Sequence, residues 1–513
     1  MVLVVVRTVT AVNRLVDALC LLENDRRVQV VFTYDDERPA IFAAGVHEFL
    51  QRLRAPVIPW RQALATSFDL VLAASENDDL HRLRGPVLLI AHGIGYQKYY
   101  PGRAVIAGLD PARLDPATVL ALSHVDQREL VRAACPEAAE RAVVIGDPCH
   151  DRMLASRHRA AEYRAALGAV DKTLVVVAST WGPDSVFGRD PGLVERLVGE
   201  LPVDEFAVCA ILHPGVVSAH SAWQVRAWLA NATDAGLHVL PPEAGWQAAI
   251  LSASCVVSDR GSLALYAAAM DLPLLMAGGR SATTVPGSPM AALAAQTARL
   301  DDRDLAVQIR LAIRRHTTGA HELAVKQAVG DPGRSAELLR PVLYRMMALP
   351  EPPAPAEFPP VDPAAPRVTE AAAFVVGVRG GALQRFPSTR HPHELDHRHL
   401  VAHATMATLR QVTNAAILYR RLDGHEQWRF TAWAAETLRQ WPNAHLVAAT
   451  VGDRTCLIRA RAGGTYRMTV ERTEVDALVF ASLAYIRLQD GELSTMEHVR
   501  VGDRSVSATV QAL

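Results

Sequence analysis

The stretch that decides the fold is Val87-Leu88-Leu89-Ile90-Ala91-His92-Gly93, in which five apolar residues lead directly into a histidine and a glycine. A similar pattern recurs at Val208-Cys209-Ala210-Ile211-Leu212-His213-Pro214. A short, continuous apolar run is typical of a strand that is buried on both faces of a parallel sheet. In open α/β sheets, ligands bind beyond the carboxyl ends of the strands. The two runs therefore predict two such sheets, each of which brings one histidine to a shared site.

Around these two runs, short apolar segments alternate with longer helical ones through most of the chain. This alternation predicts an α/β protein with two doubly wound, Rossmann-like domains. We expect the first domain over residues 1–155 and the second over residues 165–345.

The last part of the chain has a different pattern. Residues 349–366 are rich in proline, and this composition predicts an extended, semi-rigid linker. Residues 367–513 are expected to form an accessory α+β domain. Its expected elements are helices near 399–420 and 428–441 and antiparallel hairpin strands at 445–451, 455–461 and 465–472.

The 513-residue chain is close to neutral, with 53 basic and 54 acidic side chains. No overall field therefore attracts a nucleic acid or an anionic surface. The apolar opening from Val2 to Val6 is too short for a signal-peptide core or a membrane span. The six cysteines show no Cys-x-x-Cys spacing, which a zinc ribbon would require. We expect a cytoplasmic protein that binds no nucleic acid.

The first candidate site is the loop that His92 opens, His-Gly-Ile-Gly-Tyr-Gln-Lys. Gly93 and Gly95 would let the backbone approach a ligand closely, and Lys98 would add a cation. Such a loop suits a phosphate-bearing substrate. The alternative is a tight strand-to-helix turn with a capping histidine. His213 is likewise either a site residue at the sheet edge or a histidine packed under a loop.

A further candidate is the segment Ser258-Asp259-Arg260-Gly261-Ser262, between an apolar strand and a run of helix formers. A strand, a polar turn and a helix N-terminus make an anion site, because free backbone N–H groups and the helix dipole favour a phosphate. Ser258 and Ser262 would add hydroxyl donors. The alternative is that Ser258 or Asp259 only caps the helix.

Two other segments follow predicted strands. Thr180 and Trp181 come after the strand at 174–178, and we expect them to line the same cleft. The segment Gly146-Asp147-Pro148, after the strand at 142–145, marks the expected hinge between the domains.

Taken in order, these segments resemble the CDP-glycerol glycerophosphotransferase family, the wall teichoic acid type enzymes with a GT-B fold. That family's signature is a His-Gly-Thr-Pro loop with a trailing lysine, then Gly-x-Pro-Arg-x-Asp, Pro-Thr-Trp, His-Pro and Thr-Asp-Tyr-Ser-Ser. The matching residues, within about 85–280, are His92-Gly93, Gly146-Asp147-Pro148-Cys149-His150-Asp151, Ser179-Thr180-Trp181, His213-Pro214 and Ser258-Asp259-Arg260-Gly261-Ser262. The departures are Ile94-Gly95 for Thr-Pro, Cys149 for arginine, Leu212 for lysine and Arg260-Gly261 for Tyr-Ser.

The resemblance implies a GT-B-like transferase in which His92 and His213 act at the transferring phosphate while Ser258 and Ser262 hold the nucleotide phosphates. The donor would be a CDP-polyol or a UDP-sugar on the second domain, and a hydroxyl acceptor would bind the first. His92 is preferred as general base, and Arg260 is expected to replace the family's lost cation as a bidentate donor. No cofactor or metal is expected. Peripheral membrane or homo-oligomer contact is inherited from the resemblance alone.

Two other functions stay open on the sequence. A nucleotide-sugar epimerase shares this architecture and would form a product isomer from its donor without an acceptor. A non-catalytic protein that keeps the GT-B shell as a binding or scaffold module would account for the departures, with residues 367–513 recognising a partner.

A histidine-rich stretch in the last domain invites a metal-site interpretation. It contains His391, His393, Glu394, Asp396, His397, His399 and His403, of which the last two have the i, i+4 spacing of a shared helix face. Pro392 interrupts its start, and solvated loops often carry such runs. We predict no metal site here.

Overall fold

A computed structural model describes residues 1–35, 45–279, 282–364, 366, 370–392, 394–470, 475–491 and 493–513, with the backbone only for Asp490. Over these residues the chain forms two parallel sheets and a closed barrel. The two sheets, each covered by helices, confirm the prediction of two Rossmann-like α/β domains. No helix among the described residues is both long and apolar enough to cross a membrane.

The first domain is a parallel sheet with the strand order β2-β1-β3-β4-β5-β6. Its strands are β1 (Val2–Val5), β2 (Val30–Thr33), β3 (Leu70–Ala73), β4 (Val87–Ile90), β5 (Val119–Leu122) and β6 (Val143–Val144). The helices along this part of the chain are α1 (Val9–Leu19), α2 (Val46–Arg52), α3 (Trp60–Ala65), α4 (Gln127–Ala134), α5 (Pro136–Arg141), α6 (Pro148–Ser156) and α7 (Ala160–Ala166). Of these, α7 packs in the core of the second domain. Val2 and Val4 pack in one apolar layer and Leu3 and Val5 in the other, because successive strand residues face opposite sides.

The second domain repeats this plan with the order β11-β10-β7-β8-β9, again parallel. Its strands are β7 (Thr173–Ser179), β8 (Phe206–Leu212), β9 (His238–Val239), β10 (Cys255–Ser258) and β11 (Leu274–Met276). Its helices are α8 (Val186–Arg189), α9 (Leu193–Glu200), α10 (Pro214–His220), α11 (Ala222–Trp228), α12 (Ala230–Asp234), α13 (Trp246–Ser252), α14 (Ser262–Ala269), α15 (Pro289–Gln296), α16 (Leu305–Arg315), α17 (Glu322–Ala328) and α18 (Ser335–Met346). The strand order reverses between β1 and β3 in the first sheet and between β7 and β10 in the second, and such switch points are where ligands bind.

Helix α18 crosses back from the second domain to the first. Leu339 and Leu343 belong to the same buried cluster as Val2 and Val4 of strand β1. The proline-rich segment that follows has neither helix nor strand over its described residues 349–364. It is not a free spacer, because Tyr163 of α7 donates a hydrogen bond of 2.8 Å to the carbonyl of Val361. Helix α18 therefore joins the second domain to the core of the first, and the segment after it is bonded to α7.

The C-terminal domain is a closed barrel with the strand order β12-β13-β19-β20-β18-β17-β16-β15-β14. Its strands are β12 (Ala373–Arg379), β13 (Ala382–Pro387), β14 (Asp396–His403), β15 (Ile417–Leu422), β16 (Leu446–Val451), β17 (Thr455–Ala460), β18 (Thr465–Val470), β19 (Met496–Val501) and β20 (Arg504–Ala512). The helices are α19 (Leu409–Asn414), α20 (Phe430–Gln440) and α21 (Val479–Asp490). The antiparallel β16-β17-β18 meander confirms the predicted hairpins, although residues 471 and 472 lie outside the described residues.

Two expectations for this domain are wrong. It is a closed barrel rather than the expected α+β domain, and the helix expected near 399–420 is strand β14, short helix α19 and strand β15. Strands β14, β15 and β16 run parallel, with α19 and α20 as their crossovers. Helix α20 covers one face of these strands and α21 the other. Because both faces are apolar, the polar alternation that marks an exposed strand is missing from the sequence.

The barrel is docked on the second domain through a buried arginine. Arg385 of β13 donates from Nε to Asp204 at 2.9 Å and from a terminal nitrogen to Asp476 at 3.1 Å. Its backbone carbonyl accepts from Val203 at 3.0 Å. Asp204 belongs to the second domain and Asp476 to the barrel, so this guanidinium joins the two.

Candidate active site

A cleft of about 260 Å³ lies between the two α/β domains, where the carboxyl ends of their parallel strands face each other. All the residues predicted from the sequence to form the transferase site line it. They are His92, Gly93, Gly95, Lys98, Thr180, Trp181, His213, Ser258, Asp259, Arg260, Gly261 and Ser262. The structure thus brings both histidines into one cavity, while the chemical role of each residue stays a prediction.

His92 follows strand β4 and is exposed to the cleft. Although the ring is open to the cleft, the protein that surrounds the cleft desolvates it and lowers the pKa of His92. The carboxylate of Glu76 opposes that shift, as does a hydrogen bond to the backbone of Ala74, while the charges of Arg14 and Lys98 add to it. The imidazole is therefore neutral at pH 7, with a carboxylate nearby to stabilise the cation that forms when it takes a proton.

Glu76 was not found from the sequence. It lies just after strand β3, is buried, and lines the cleft beside His92. Its Oε1 accepts from the Tyr100 hydroxyl at 2.5 Å and from the backbone N–H of Gly108 at 3.0 Å. These two bonds fix the carboxylate, so it acts as a stationary negative charge. Its place after a buried strand, the same signal that marked His92, was the available clue.

His213 follows strand β8 and caps helix α10. Its Nδ1 accepts from the backbone N–H of Gly215 at 2.9 Å, so the proton of the neutral ring is on Nε2. Burial, with smaller contributions from the neighbouring Lys98 and His92, lowers the pKa of His213 to about 3. This ring stays neutral at any physiological pH and is a hydrogen-bond donor rather than a base.

The His92 loop continues into a strand-like segment that reaches the second domain. Tyr99 donates its N–H to the carbonyl of Thr283 at 2.7 Å, and Val285 donates to the carbonyl of Gln97 at 3.0 Å. This pairing holds Lys98 over the cleft, where burial lowers its pKa and the charge of Asp259 opposes that shift. A cation of the first domain therefore faces the carboxyl ends of the second sheet.

The N-terminus of helix α14 meets the His92 loop directly. A Cβ on Gly93 would lie 2.5 Å from the Ser262 hydroxyl, and a Cβ on Gly261 would lie 2.4 Å from the Thr180 side chain. At either position a larger residue would force the neighbouring side chain to shift. Gly95 has a φ of +73°, which also favours glycine. The hydroxyl of Ser262 and the first N–H groups of α14 thus lie beside the loop that carries His92, a place where an anion is stabilised.

Ser258 and Asp259 are committed to the framework of the second domain. The Ser258 hydroxyl donates to the carbonyl of Ala178 at 3.0 Å. One carboxylate oxygen of Asp259 accepts from the N–H groups of Thr180 at 2.8 Å and Val186 at 3.0 Å. Burial raises the pKa of Asp259, and these two bonds and Lys98 oppose the shift. Both side chains therefore hold the turn before α14, but neither caps the helix: its N-cap is Gly261, without a side-chain cap bond, so the capping alternative is wrong for α14.

Two larger side chains complete the second wall. Trp181 is 42% exposed and Arg260 is partly exposed, and both line the cleft. Arg260 has no ion pair with the carboxylates that the structure describes. Its guanidinium is therefore able to meet an anionic ligand.

Sequence reasoning also missed a buried network at the floor of the cleft. The Arg14 guanidinium of α1 donates two bonds of 2.8 Å to the carboxylate of Asp147 and one of 3.0 Å to the carbonyl of Ala91. Its terminal nitrogen lies 3.4 Å from the Tyr266 hydroxyl of α14. The clue was a pair of charged residues, Arg14 and Asp17, on the otherwise apolar buried face of α1. Asp147 lies in the predicted hinge, so this network joins the hinge to both walls.

The histidine-rich stretch lies in the barrel, away from the cleft. His393, Glu394, Leu395, Asp396 and His397 have the His-Glu-x-x-His order, which binds zinc only when a helix places both histidines on one face. Here strand β14 begins at Asp396, and His393 lies outside the described residues. The ring of His399 is bonded to Ser482 at 2.9 Å. No group of three or more metal-binding side chains occurs among the described residues.

The sequence matches no protein-family model and no curated protein. Among solved structures, the wall teichoic acid polymerase TagF is similar over 68% of this chain and 89% of its own, with 10% identity and a TM-score of 0.43. HepE from Anabaena, in complex with UDP and glucose, is similar over 68% of this chain and 99% of its own, with 12% identity and a TM-score of 0.39. The UDP-GlcNAc 2-epimerase of Methanocaldococcus jannaschii is similar over 67% of this chain and 99% of its own, with 12% identity and a TM-score of 0.42. The function is therefore inferred from this chain's own cleft.

Proposed function

We propose that this protein is a GT-B-like transferase that moves a glycerophosphate-like or glycosyl group from a nucleotide-activated donor to an acceptor hydroxyl. One observation carries the proposal. His92 and His213, from opposite domains, line one cavity together with Lys98 and the N-terminus of α14. A base, a neutral donor, a cation and a helix N-terminus are the groups that transfer at a phosphate needs.

In this proposal His92 is the general base. Its lowered pKa keeps the ring neutral at pH 7, and the fixed carboxylate of Glu76 stabilises the imidazolium that forms on proton transfer. The acceptor hydroxyl lies against the first wall and gives its proton to the ring. A positioned base of this kind contributes about 10²- to 10⁴-fold to a rate.

The second wall holds the donor. His213 donates from Nε2, while Lys98, Arg260 and the first N–H groups of α14 with Ser262 stabilise negative charge on the phosphate that is cleaved. As the acceptor oxygen bonds to phosphorus, the bond from phosphorus to the leaving nucleotide phosphate breaks and CMP leaves a CDP-polyol. If the anomeric carbon of a UDP-sugar is attacked instead, UDP leaves. No cofactor or metal takes part.

The test is to incubate the protein with CDP-glycerol or with UDP-N-acetylglucosamine, each with glycerol as a hydroxyl acceptor, and to identify the released nucleotide. CMP indicates attack at phosphorus and UDP attack at the anomeric carbon. The matched control is His92→Gln, which keeps a polar side chain of similar size without a base. Release that persists in this variant would remove His92 from the mechanism, and no release from either donor would contradict transfer from these donor classes.

The two other functions give different results in the same assay. A product isomer from donor alone would indicate an epimerase. Binding of donor with neither release nor isomer would indicate a non-catalytic GT-B shell.

A further inference from the structure

The loop that carries His92 is held by two buried side chains, one at each end. Before His92, the carbonyl of Ala91 accepts from Arg14 Nε at 3.0 Å. After it, the carbonyl of Ile94 accepts from the side-chain amide of Gln97 at 2.9 Å. Arg14 is 5% exposed and Gln97 is 8% exposed. The backbone on both sides of the catalytic candidate is therefore fixed by hydrogen bonds that water does not replace.

Each of these side chains also reaches the second domain. The Arg14 guanidinium lies 3.4 Å from the hydroxyl of Tyr266, on helix α14. The Gln97 Oε1 accepts from the N–H of Met290, in the first turn of α15, at 3.1 Å. Because one amide bonds the loop on one side and the opposite domain on the other, it cannot keep both bonds when the domains move apart.

We propose that Gln97 and Arg14 are positioning residues, which place the His92 ring for catalysis only while the two domains are closed on each other. The inference rests on the proposed function for its meaning in catalysis. Under this inference, closure of the two domains does more than bring donor and acceptor together. The second domain also completes the hydrogen bonds that orient His92. A displacement of about 1 Å at a reacting group costs about 10²-fold in rate.

The first variant is Gln97→Met, which keeps the size of the buried side chain and removes both of its hydrogen bonds. We expect kcat for transfer to fall about 10- to 100-fold while KM for the donor stays within about threefold, because Arg260, Ser262 and the first N–H groups of α14 are unchanged. Gln97→Glu keeps the acceptor for Met290 and is expected to recover part of kcat.

The matched control is Gln127→Met. Gln127 is also a buried glutamine beside this loop, but its amide bonds Ser123 of the same domain, at 2.7 Å and 3.1 Å. Its loss is expected to leave kcat within about twofold of the wild type. An equal loss of kcat in both variants would show that the effect is general packing and would overturn the inference.

A second readout is independent of turnover. In protein labelled at histidine, the His92 ring signals, assigned with His92→Gln, are followed by NMR across pH in the wild type, Gln97→Met and Arg14→Lys. Arg14→Lys keeps the charge and loses the planar donor set. We expect the His92 signals to shift or broaden in both variants and the His213 signals to stay in place.

The two readouts separate the inference from the proposed function. Shifted His92 signals in a protein that transfers no group would contradict the function and keep the positioning role. Unshifted His92 signals in a folded Gln97→Met protein with wild-type kcat would overturn the positioning role and leave the function standing. If Arg14→Lys does not fold, Gln97→Met decides alone.

Discussion

The two walls of the cleft hold their histidines in different ways. On the first wall, His92 opens a loop that carries two glycines and a cation, and the fixed carboxylate of Glu76 acts on its ring. On the second, His213 is locked by its own Nδ1 to the N–H of Gly215. The first ring is able to change its protonation state, and the second is held in one tautomer. The comparison teaches that two histidines with the same place after a strand are built for different chemistry.

The largest effect is expected at His92. His92→Ala removes the base, so kcat for transfer should fall about 10³-fold while the donor dissociation constant stays within about threefold. Single-turnover kinetics and calorimetric titration measure the two quantities. A loss of donor binding as large as the loss of kcat would make His92 a binding residue and end the contrast between the walls.

The next effect is expected at His213. His213→Asn keeps an N-cap side chain for α10 and loses the Nε2 donor, so kcat should fall about 10²-fold with little change in Tm. His213→Ala should lose the same activity and about 1 kcal/mol of stability as well, because the cap is gone. Full activity in His213→Asn would mean that only the cap matters.

A smaller effect is expected in the pH dependence of kcat/KM, which should distinguish His92 as a base from His213 as a hydrogen-bond donor. The acid limb of kcat/KM should lie below pH 6.5, because the pKa of His92 is lowered from that value. Glu76→Gln removes a charge that raises this pKa, so the limb should move to lower pH and kcat should fall about tenfold. The limb should stay in place in His213→Asn. Movement to higher pH in Glu76→Gln would contradict the pairing of Glu76 with His92.

The smallest effect concerns the link between the walls. Tyr266→Phe removes a hydroxyl that lies 3.3 Å from the Asp147 carboxylate and 3.4 Å from Arg14. The free energy of unfolding should fall by about 1 kcal/mol, as for a buried hydrogen bond. Chemical denaturation measures it. An unchanged unfolding free energy together with unchanged His92 NMR signals would show that this hydroxyl does not couple the domains.

The candidate site was largely predictable, since the rule that ligands bind beyond strand ends needs only the apolar runs before His92 and His213. Glu76 and Arg14 were missed for a physical reason. A buried carboxylate or guanidinium depends on partners far along the chain, and Arg14 pairs with Asp147 across 133 positions. Local pattern places Glu76 after a buried strand and Arg14 on the buried face of α1, but it does not identify their distant partners.

The C-terminal barrel shows where local pattern fails for the fold. The residues from His399 to His403 have a helical spacing of histidines, yet they form strand β14. This strand pairs with β12 and β15, and its last residues are buried by helices elsewhere in the sequence. The hairpins after residue 445 were predictable because their turns and pairing partners are local.

The central claim is that two walls form one site for a nucleotide-activated donor. Its most direct test is a thermal-shift screen of the protein with CMP, CDP, UMP, UDP, GDP and ADP, repeated on Ser262→Ala and His213→Ala. We expect nucleotides of one base to stabilise the wild type, by about 2.7 kcal/mol at a hundredfold excess over the dissociation constant, and to stabilise both variants less. No stabilisation by any nucleotide, or equal stabilisation of the variants, would contradict it.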